Sequence, residues 1–353
     1  MTQVPRPRSL FFSLLSGLAT ILSIFADGNL AMAQDDGFTV PTTVSKEAQA
    51  AIKAFSRKAR NSPLPAPTDL EEWKKAQADV ERDFAKEGAE VKEHYQPQIE
   101  ERTLGGVPVL DIKPKGWKKN DRVLVYTHGG AYALFSARST LSSSVPVAND
   151  TGLRVVSVDY TVAPHAKWDK VTDQAIAVIQ ALVKEGHPLT EIAIYGDSAG
   201  GGLAAGAVLK MRDRGLGMPA AVVLWSPWSD ITNTGDTYVT LADADPILHY
   251  PNNLKNAADA YAAPKDQKNP YVSPVYGDYS KGFPPTLIQV GTKEIFLSNA
   301  VRHYQALDNA GISVKLDPYE GMIHVFQAFS WNLPESKLAR KKVAVFLNQH
   351  LEN

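Results

Sequence analysis

The sequence predicts an α/β fold built on a mostly parallel central sheet. Short apolar runs such as "DRVLVYTHGG" and "IAIYGDS" end in glycine or small polar residues, and they alternate with segments of helical period. Strands that alternate with helices pair in parallel and are covered by helices on both faces. With 353 residues, 44% of them hydrophobic, the chain is long enough for one large core with an appended subdomain, or for two domains.

Residues 1–33 have the layout of a secretory signal peptide. Arg6 and Arg8 precede a short apolar run, and an Ala-Met-Ala sequence forms a cleavage pattern immediately before Gln34. The apolar run is shorter than the ~20 residues that a bilayer-spanning helix needs. We therefore expect cleavage near Gln34, a periplasmic or secreted protein, and no stable membrane anchor in the mature chain.

The composition excludes several classes of protein. The formal net charge of −1 gives no electrostatic footprint for binding nucleic acid. The chain contains no cysteine, which excludes a cysteine nucleophile, a thiolate metal site and a disulfide framework. No H-E-x-x-H zinc pattern occurs either, so we expect neither a metal nor a cofactor. The oligomeric state stays open, with a homo-oligomer allowed.

Residues 34–97 are predicted to form helices that precede any strand. Apolar residues recur at helical spacing in residues 44–60, and the proline-rich stretch "NSPLPAPTD" interrupts the pattern. Thr68 and Glu71 then match a capping box at the start of a second amphipathic helix. Because no strand precedes them, these helices must pack on parts of the chain that come later, and we expect them to contribute to a cap.

Residues 98–228 and 283–353 are predicted to form the two parts of the sheet core. Gly105-Gly106 joins the first two strands. The predicted strands are, in order, "QIEERTL", "VPVLDIKP", "DRVLVYT", "LRVVSVDY", "IAIYGDS", "AAVVLWSPW", "PPTLIQVGT" and "SVKLDPYEG". The predicted helices between and after them cover residues 168–184, 200–214, 298–310 and 334–351.

Residues 229–282 interrupt this alternation. The segment is rich in Asp, Asn, Pro and Tyr and shows no buried strand. An irregular segment of this length inside a domain is usually functional or forms a small subdomain. We predict a cap insert over the carboxyl edge of the sheet, where ligands bind in open parallel sheets.

Gly196-x-Ser198-x-Gly200 lies between a predicted strand and a predicted helix, which is the context of a nucleophile elbow. The turn is so tight that residues two before and two after the serine need small side chains. A phosphate-binding loop would require G-x-x-x-x-G-K-[ST], and a dinucleotide loop would require G-x-G-x-x-G. Neither pattern is present, so a nucleophilic Ser198 is the favoured interpretation.

A serine nucleophile needs a base and an acid, which follow it along the chain in this fold. His324 comes directly after the last predicted strand, whereas His303 and His350 fall on helices and His128 precedes the serine. Glu294 lies on the loop after strand 284–292, at the same sheet edge. We predict that His324 is the base and Glu294 the acid, although a solvated loop glutamate is an open alternative.

Acyl transfer also requires hydrogen-bond donors for an oxyanion. The segment "YTHGGAY" ends a strand in His128-Gly129-Gly130. We expect the N–H groups of Gly129 and Gly130 to converge on a substrate oxygen with that of Ala199, the residue after the nucleophile.

With HGG, GDSAGG, an acid after the penultimate strand and GMIHVF in this order, the chain resembles the hormone-sensitive lipase family of α/β-hydrolases over residues 98–351. Residues 159–165 and 226–230 are similar to two further motifs of the family, DYRLAPE and SPWxD. The resemblance implies an α/β-hydrolase fold and hydrolysis of carboxylic esters under a cap formed by the N-terminus and the insert. Ala131 replaces the third glycine frequent in HGGG, and Glu294 stands where aspartate is common.

We therefore expect an exported serine esterase that acts on small-molecule esters of small or medium acyl chain. A lactonase, deacetylase or amidase would use the same residues, and a non-catalytic binding protein would be expected to lack the serine or the histidine. Tyr132 and Trp228, with Tyr238, Tyr250 and Tyr261, are candidates for an aromatic substrate pocket, with an ordinary cap core as the equal alternative.

Overall fold

An eight-stranded sheet lies at the centre of the computed structural model, which describes residues 38–351. The signal peptide predicted for residues 1–33 lies outside the described residues. The strands are β1 Gln98–Leu104, β2 Val107–Lys113, β3 Val123–Thr127, β4 Arg154–Val158, β5 Ile192–Asp197, β6 Ala221–Trp225, β7 Thr286–Gly291 and β8 Val314–Tyr319. Their order is β1-β2-β4-β3-β5-β6-β7-β8. The first two strands are antiparallel to their neighbours, and the other six run parallel to one another.

Helices connect and cover these strands, and all four helices predicted among the strands are present to within two residues. The helices are α1 Lys46–Lys53, α2 Arg57–Arg60, α3 Leu70–Tyr95, α4 Leu141–Thr151, α5 Trp168–Lys184, α6 Ala199–Asp213, α7 Thr237–Thr240, α8 Lys255–Tyr261, α9 Leu297–Asn309, α10 Phe326–Phe329 and α11 Pro334–His350. The insert also contains a short π-helix over Tyr250–Leu254 and three short 3₁₀ helices.

Two hydrophobic clusters fill the space on the two faces of the sheet. In β3, Val123 and Val125 face the cluster that contains α5 and α6, while Leu124 and Tyr126 face the cluster that contains α4 and α11. Successive side chains of a strand point to opposite faces, so a strand covered on both sides is apolar throughout. This explains the uninterrupted apolar runs of the central strands.

Helix α4 is the one long element that the sequence analysis did not predict. Its "LSSSVPVANDT" sequence contains three consecutive serines and Pro146, which are poor residues for a helix interior. Yet its first eight residues are all buried, and the helix packs between α3, α11 and β4. Tertiary packing therefore overrides the weak local propensity.

The N-terminal segment packs on the carboxyl edge of the sheet and on the insert. Val44, which precedes α1, and Ile52, which lies within it, form a hydrophobic cluster with Met322 and Ile323. Asn253 of the insert donates a hydrogen bond to the Arg60 carbonyl over 2.9 Å. The N-terminus and the insert therefore lie together, next to the loop that precedes His324.

Two details of this segment differ from expectation. The N-cap of α3 is Asp69, whose side chain accepts from the Glu72 amide, so the predicted Thr68–Glu71 capping box is wrong. Helix α3 also packs on the sheet core and not only in the cap, because Val91 near its end lies in the cluster with α4. Within residues 38–351, no helix combines the length and apolarity of a membrane span.

Candidate active site

Ser198 occupies a sharp turn between β5 and α6. Its backbone has φ 53° and ψ −124°, a strained conformation for a residue with a side chain. A Cβ on Gly196 would lie 2.3 Å from the Gly200 carbonyl oxygen, and one on Gly200 would lie 2.0 Å from that of Thr127. The glycines on both sides are therefore required by close backbone approach. The Ser198 side chain makes no capping hydrogen bond to α6, so its hydroxyl is not committed to the helix end.

His324 and Glu294 meet at the carboxyl edge of the sheet. The Nδ1 atom of His324 lies 2.6 Å from Oε2 of Glu294, and both side chains are buried. The other carboxylate oxygen, Oε1, accepts hydrogen bonds of 2.7 Å from the Gly291 amide and from the Ser226 hydroxyl. Both carboxylate oxygens therefore have donors, and the orientation of Glu294 against the imidazole is fixed. A solvated loop glutamate, the open alternative, does not describe this residue.

Ser226 is a site residue that the sequence analysis did not single out. Its hydroxyl donates to Glu294 and accepts from the amide of Val325, 3.0 Å away, so it joins the acid loop to the histidine loop. The residue follows β6 and has a positive φ of 44°. The sequence signal that could have identified Ser226 is a polar residue directly after β6. This strand lies between β5, which precedes Ser198, and β7, which precedes Glu294.

Ser198, Glu294 and His324 follow β5, β7 and β8, whose carboxyl ends share one edge of the sheet. The positive charge of a protonated His324 lowers the pKa of the carboxyl of Asp197, the residue before the serine. Among residues 38–351, the Ser198 hydroxyl forms no hydrogen bond to another protein group. Catalytic hydrogen bonds commonly become short only in the substrate complex.

Asp197 changes the interpretation of the HGG segment. Its carboxyl accepts hydrogen bonds from the Tyr126 hydroxyl at 2.5 Å and from the Gly129 amide at 3.3 Å. Burial raises the pKa of Asp197 to about 6, and these donors together with His324 oppose the rise. A Cβ on Gly129 would lie 2.4 Å from this carboxylate. The Gly129 N–H is therefore directed at Asp197, contrary to the prediction that it faces a substrate oxygen.

The next two residues are arranged differently. Gly130 and Ala131 both have positive φ, 103° and 54°. In the described part of the chain, their amides and that of Ala199 donate no hydrogen bond to another backbone or side-chain group. Gly130, Ala131 and Ala199 thus provide three N–H groups near the elbow without internal acceptors.

The other histidines near the site have structural roles. His128 stacks on Tyr160 with ring centroids 4.0 Å apart, and burial lowers its pKa to about 4. His303 is held between the Ser229 and Tyr279 hydroxyls, and burial lowers its pKa to about 3. No group of three or more metal-ligating side chains occurs among residues 38–351.

The proposed pocket aromatics form a packed cluster instead. Tyr132 stacks on Tyr261 with centroids 3.8 Å apart, and Trp228 stacks on Phe296 at 5.6 Å. Tyr132, Trp228 and Tyr261 have no exposed surface, so they contribute no wall to an open pocket. Of the two interpretations in the sequence analysis, the structure supports the cap core.

Known proteins match both the sequence and the structure. A family model described as the alpha/beta hydrolase fold matches residues 124–328. An acetyl-hydrolase of Streptomyces hygroscopicus is 34% identical over 251 residues, which cover 69% of this chain and 83% of the relative. The crystal structure of esterase E25 superposes with a TM-score of 0.79 at 29% identity, over 92% of this chain and 99% of that one. An esterase of the bacterial hormone-sensitive lipase family gives a TM-score of 0.72 at 30% identity, over 79% and 92% of the two chains.

Proposed function

Since this chain belongs to the alpha/beta-hydrolase family and is an ester hydrolase of the hormone-sensitive lipase type, we propose that it cleaves small carboxylic esters through an acyl-enzyme on Ser198. The observation that carries this proposal is the buried pair of His324 and Glu294 at the sheet edge where the Ser198 turn lies. The pair supplies a base with a fixed tautomer for the neighbouring hydroxyl.

In the proposed reaction, the Ser198 oxygen attacks the ester carbonyl while Nε2 of His324 takes its proton. Glu294 accepts the hydrogen bond of Nδ1–H, which orients the ring and stabilises its cation. The tetrahedral oxyanion is bound by N–H groups of Gly130, Ala131 and Ala199, since Gly129 donates to Asp197. The alcohol leaves with the proton from His324. Water then attacks the acyl-enzyme by the same route and releases the acid.

A panel of substrates tests this function. Purified protein should hydrolyse p-nitrophenyl acetate with an initial burst, and the corresponding anilide and a simple lactone should be turned over more slowly. Faster turnover of the anilide would favour an amidase, and faster turnover of the lactone would favour a lactonase. A protein that binds these esters without turnover would contradict the proposed mechanism.

We expect a preference for short acyl chains. The aromatic cluster of Tyr132, Trp228, Tyr261 and Phe296 fills the space between the oxyanion segment, the loop after β6 and the insert, which leaves little room for a long chain. The similarity to an acetyl-hydrolase supports the same preference. Measured as kcat/KM on p-nitrophenyl esters, the acetate or butyrate should exceed the palmitate by at least about 10-fold. Highest turnover on the palmitate would contradict this expectation.

We also propose that the protein is exported and loses residues 1–33. The support is the Arg6 and Arg8 start, the apolar run and the cleavage pattern before Gln34. Intact-mass measurement of protein isolated from its own host should give a chain that begins near Gln34. Retention of the first 33 residues in the mature protein would rule the cleavage out.

A further inference from the structure

Asp245 of the insert is buried and bonded to the loop that carries Glu294. One carboxylate oxygen accepts from the amides of Ile247 and Leu248, at 2.8 and 2.9 Å, and closes a local turn. The other accepts from the amide of Ile295, 2.8 Å away. Ile295 directly follows Glu294 in the chain. A carboxylate from the insert therefore holds the backbone next to the acid of the proposed triad.

The electrostatics of Asp245 involve the same site. Burial raises its pKa to about 6, and the positive charge of His324 is the largest effect that opposes this rise. Asp245 in turn raises the pKa of Lys293, a residue whose pKa burial lowers. The charged groups that surround this turn are Lys293 and Glu294 after β7, His324 after β8, Arg57 and Arg60 on α2, and Asp243 and His249 on the insert.

The backbone of Asp245 is fixed from the opposite side. The guanidinium of Arg60 on α2 donates to its carbonyl oxygen over 3.0 Å. The Arg60 carbonyl in turn accepts from Asn253 of the insert. The N-terminal segment and the insert therefore hold Asp245 jointly, and its side chain extends this contact to the acid loop.

We propose that Asp245 is a positioning residue of the active site, through which the cap controls the geometry of the triad. Its carboxylate fixes the Ile295 amide and so keeps Glu294 in hydrogen-bond contact with His324. Its negative charge, added to that of Glu294, stabilises the imidazolium that forms when Ser198 loses its proton. This inference rests on the proposed function.

The chain offers a matched control two residues away. Asp243 lies in the preceding turn of the same segment, and its 96% exposed side chain forms a 3.4 Å ion pair with Arg57. Exposed ion pairs contribute little to the stability of a protein. Asp243→Asn therefore removes the same charge from the same segment without touching the acid loop.

In Asp245→Asn, the amide oxygen can still accept from Ile247 and Leu248, but its NH₂ group then faces the Ile295 N–H, donor against donor. With p-nitrophenyl acetate, we expect kcat per active site to fall by about 10- to 100-fold with KM within about 2-fold, as a small misplacement of catalytic groups can cost about 100-fold. The acid limb of the kcat/KM profile should move to lower pH, because the protonated imidazole loses a stabilising negative charge. Asp243→Asn should change neither quantity.

Active sites are counted with an organophosphonate that labels Ser198, so loss of folded protein does not lower kcat. Asp245→Glu keeps the charge but lengthens the side chain by one methylene, which displaces the carboxylate from the Ile295 amide. This variant should lower kcat while leaving the acid limb of the pH profile in place. Unchanged kcat and pH profile in Asp245→Asn, or equal effects in Asp243→Asn, would overturn the proposal. A wild-type protein that the phosphonate does not label would instead contradict the proposed function.

Discussion

Ser198→Ala is expected to lower kcat on p-nitrophenyl acetate by roughly 10⁶-fold, the scale that loss of a serine nucleophile has in another hydrolase. The strained turn after β5 presents this hydroxyl above the sheet edge, and alanine retains the turn but has no atom that can attack the ester. Intact-mass spectrometry after treatment with an organophosphonate provides the direct measurement. The wild type should gain one adduct and the variant none.

Ser226→Ala is the control for this experiment. Ser226 is buried near the same site but contacts Glu294 and Val325, so its loss should slow turnover while the phosphonate still labels Ser198. An adduct on Ser198→Ala would place the nucleophile elsewhere. Retention of substantial turnover by that variant would contradict the acyl-enzyme.

Glu294→Gln is expected to lower kcat by about 10⁴-fold, the effect of the corresponding change in another serine hydrolase. The amides and hydroxyls around this residue explain why. The Gly291 amide and the Ser226 hydroxyl both donate to Oε1. They therefore hold the glutamine oxygen in that position, and its NH₂ group faces Nδ1 of His324. The histidine must then carry its proton on Nε2, where it cannot accept the proton of Ser198.

Three further variants test the assignment. Glu294→Asp should lower kcat less than Glu294→Gln does. The charge is retained, and only the shorter side chain weakens the 2.6 Å contact with His324. Asp308→Asn should be near normal, since Asp308 is exposed on α9. Asp317→Asn should also be near normal, since that carboxylate pairs with Lys342 and Gln289. Near-normal kcat in Glu294→Gln, with a collapse in either aspartate variant, would identify a different acid.

Much of the fold was predictable because its signals are local. The strands of the core are continuous apolar runs that end in glycine or polar residues, and their predicted positions agree with the structure. Helix α4 was not predictable, because its serines and Pro146 give no helical signal and its burial comes from α3, α11 and the sheet. The N-cap at Asp69, one residue from the predicted Thr68, shows that two adjacent capping residues are not distinguished by sequence alone.

The sequence by itself determined the α/β fold, because apolar strands alternate with segments of helical period. It also determined the chain order of Ser198, Glu294 and His324, because the serine lies between the glycines that a tight turn requires and the other two residues follow predicted strands. The tertiary structure decided which groups meet. The Gly129 amide has a neighbour in Asp197, the Glu294 carboxylate has one in Ser226, and Asp245 reaches the acid loop from 50 residues earlier in the chain. Hydrogen-bond partners so far apart in sequence are determined by how the strand ends and the cap pack together. A local sequence pattern therefore cannot predict them.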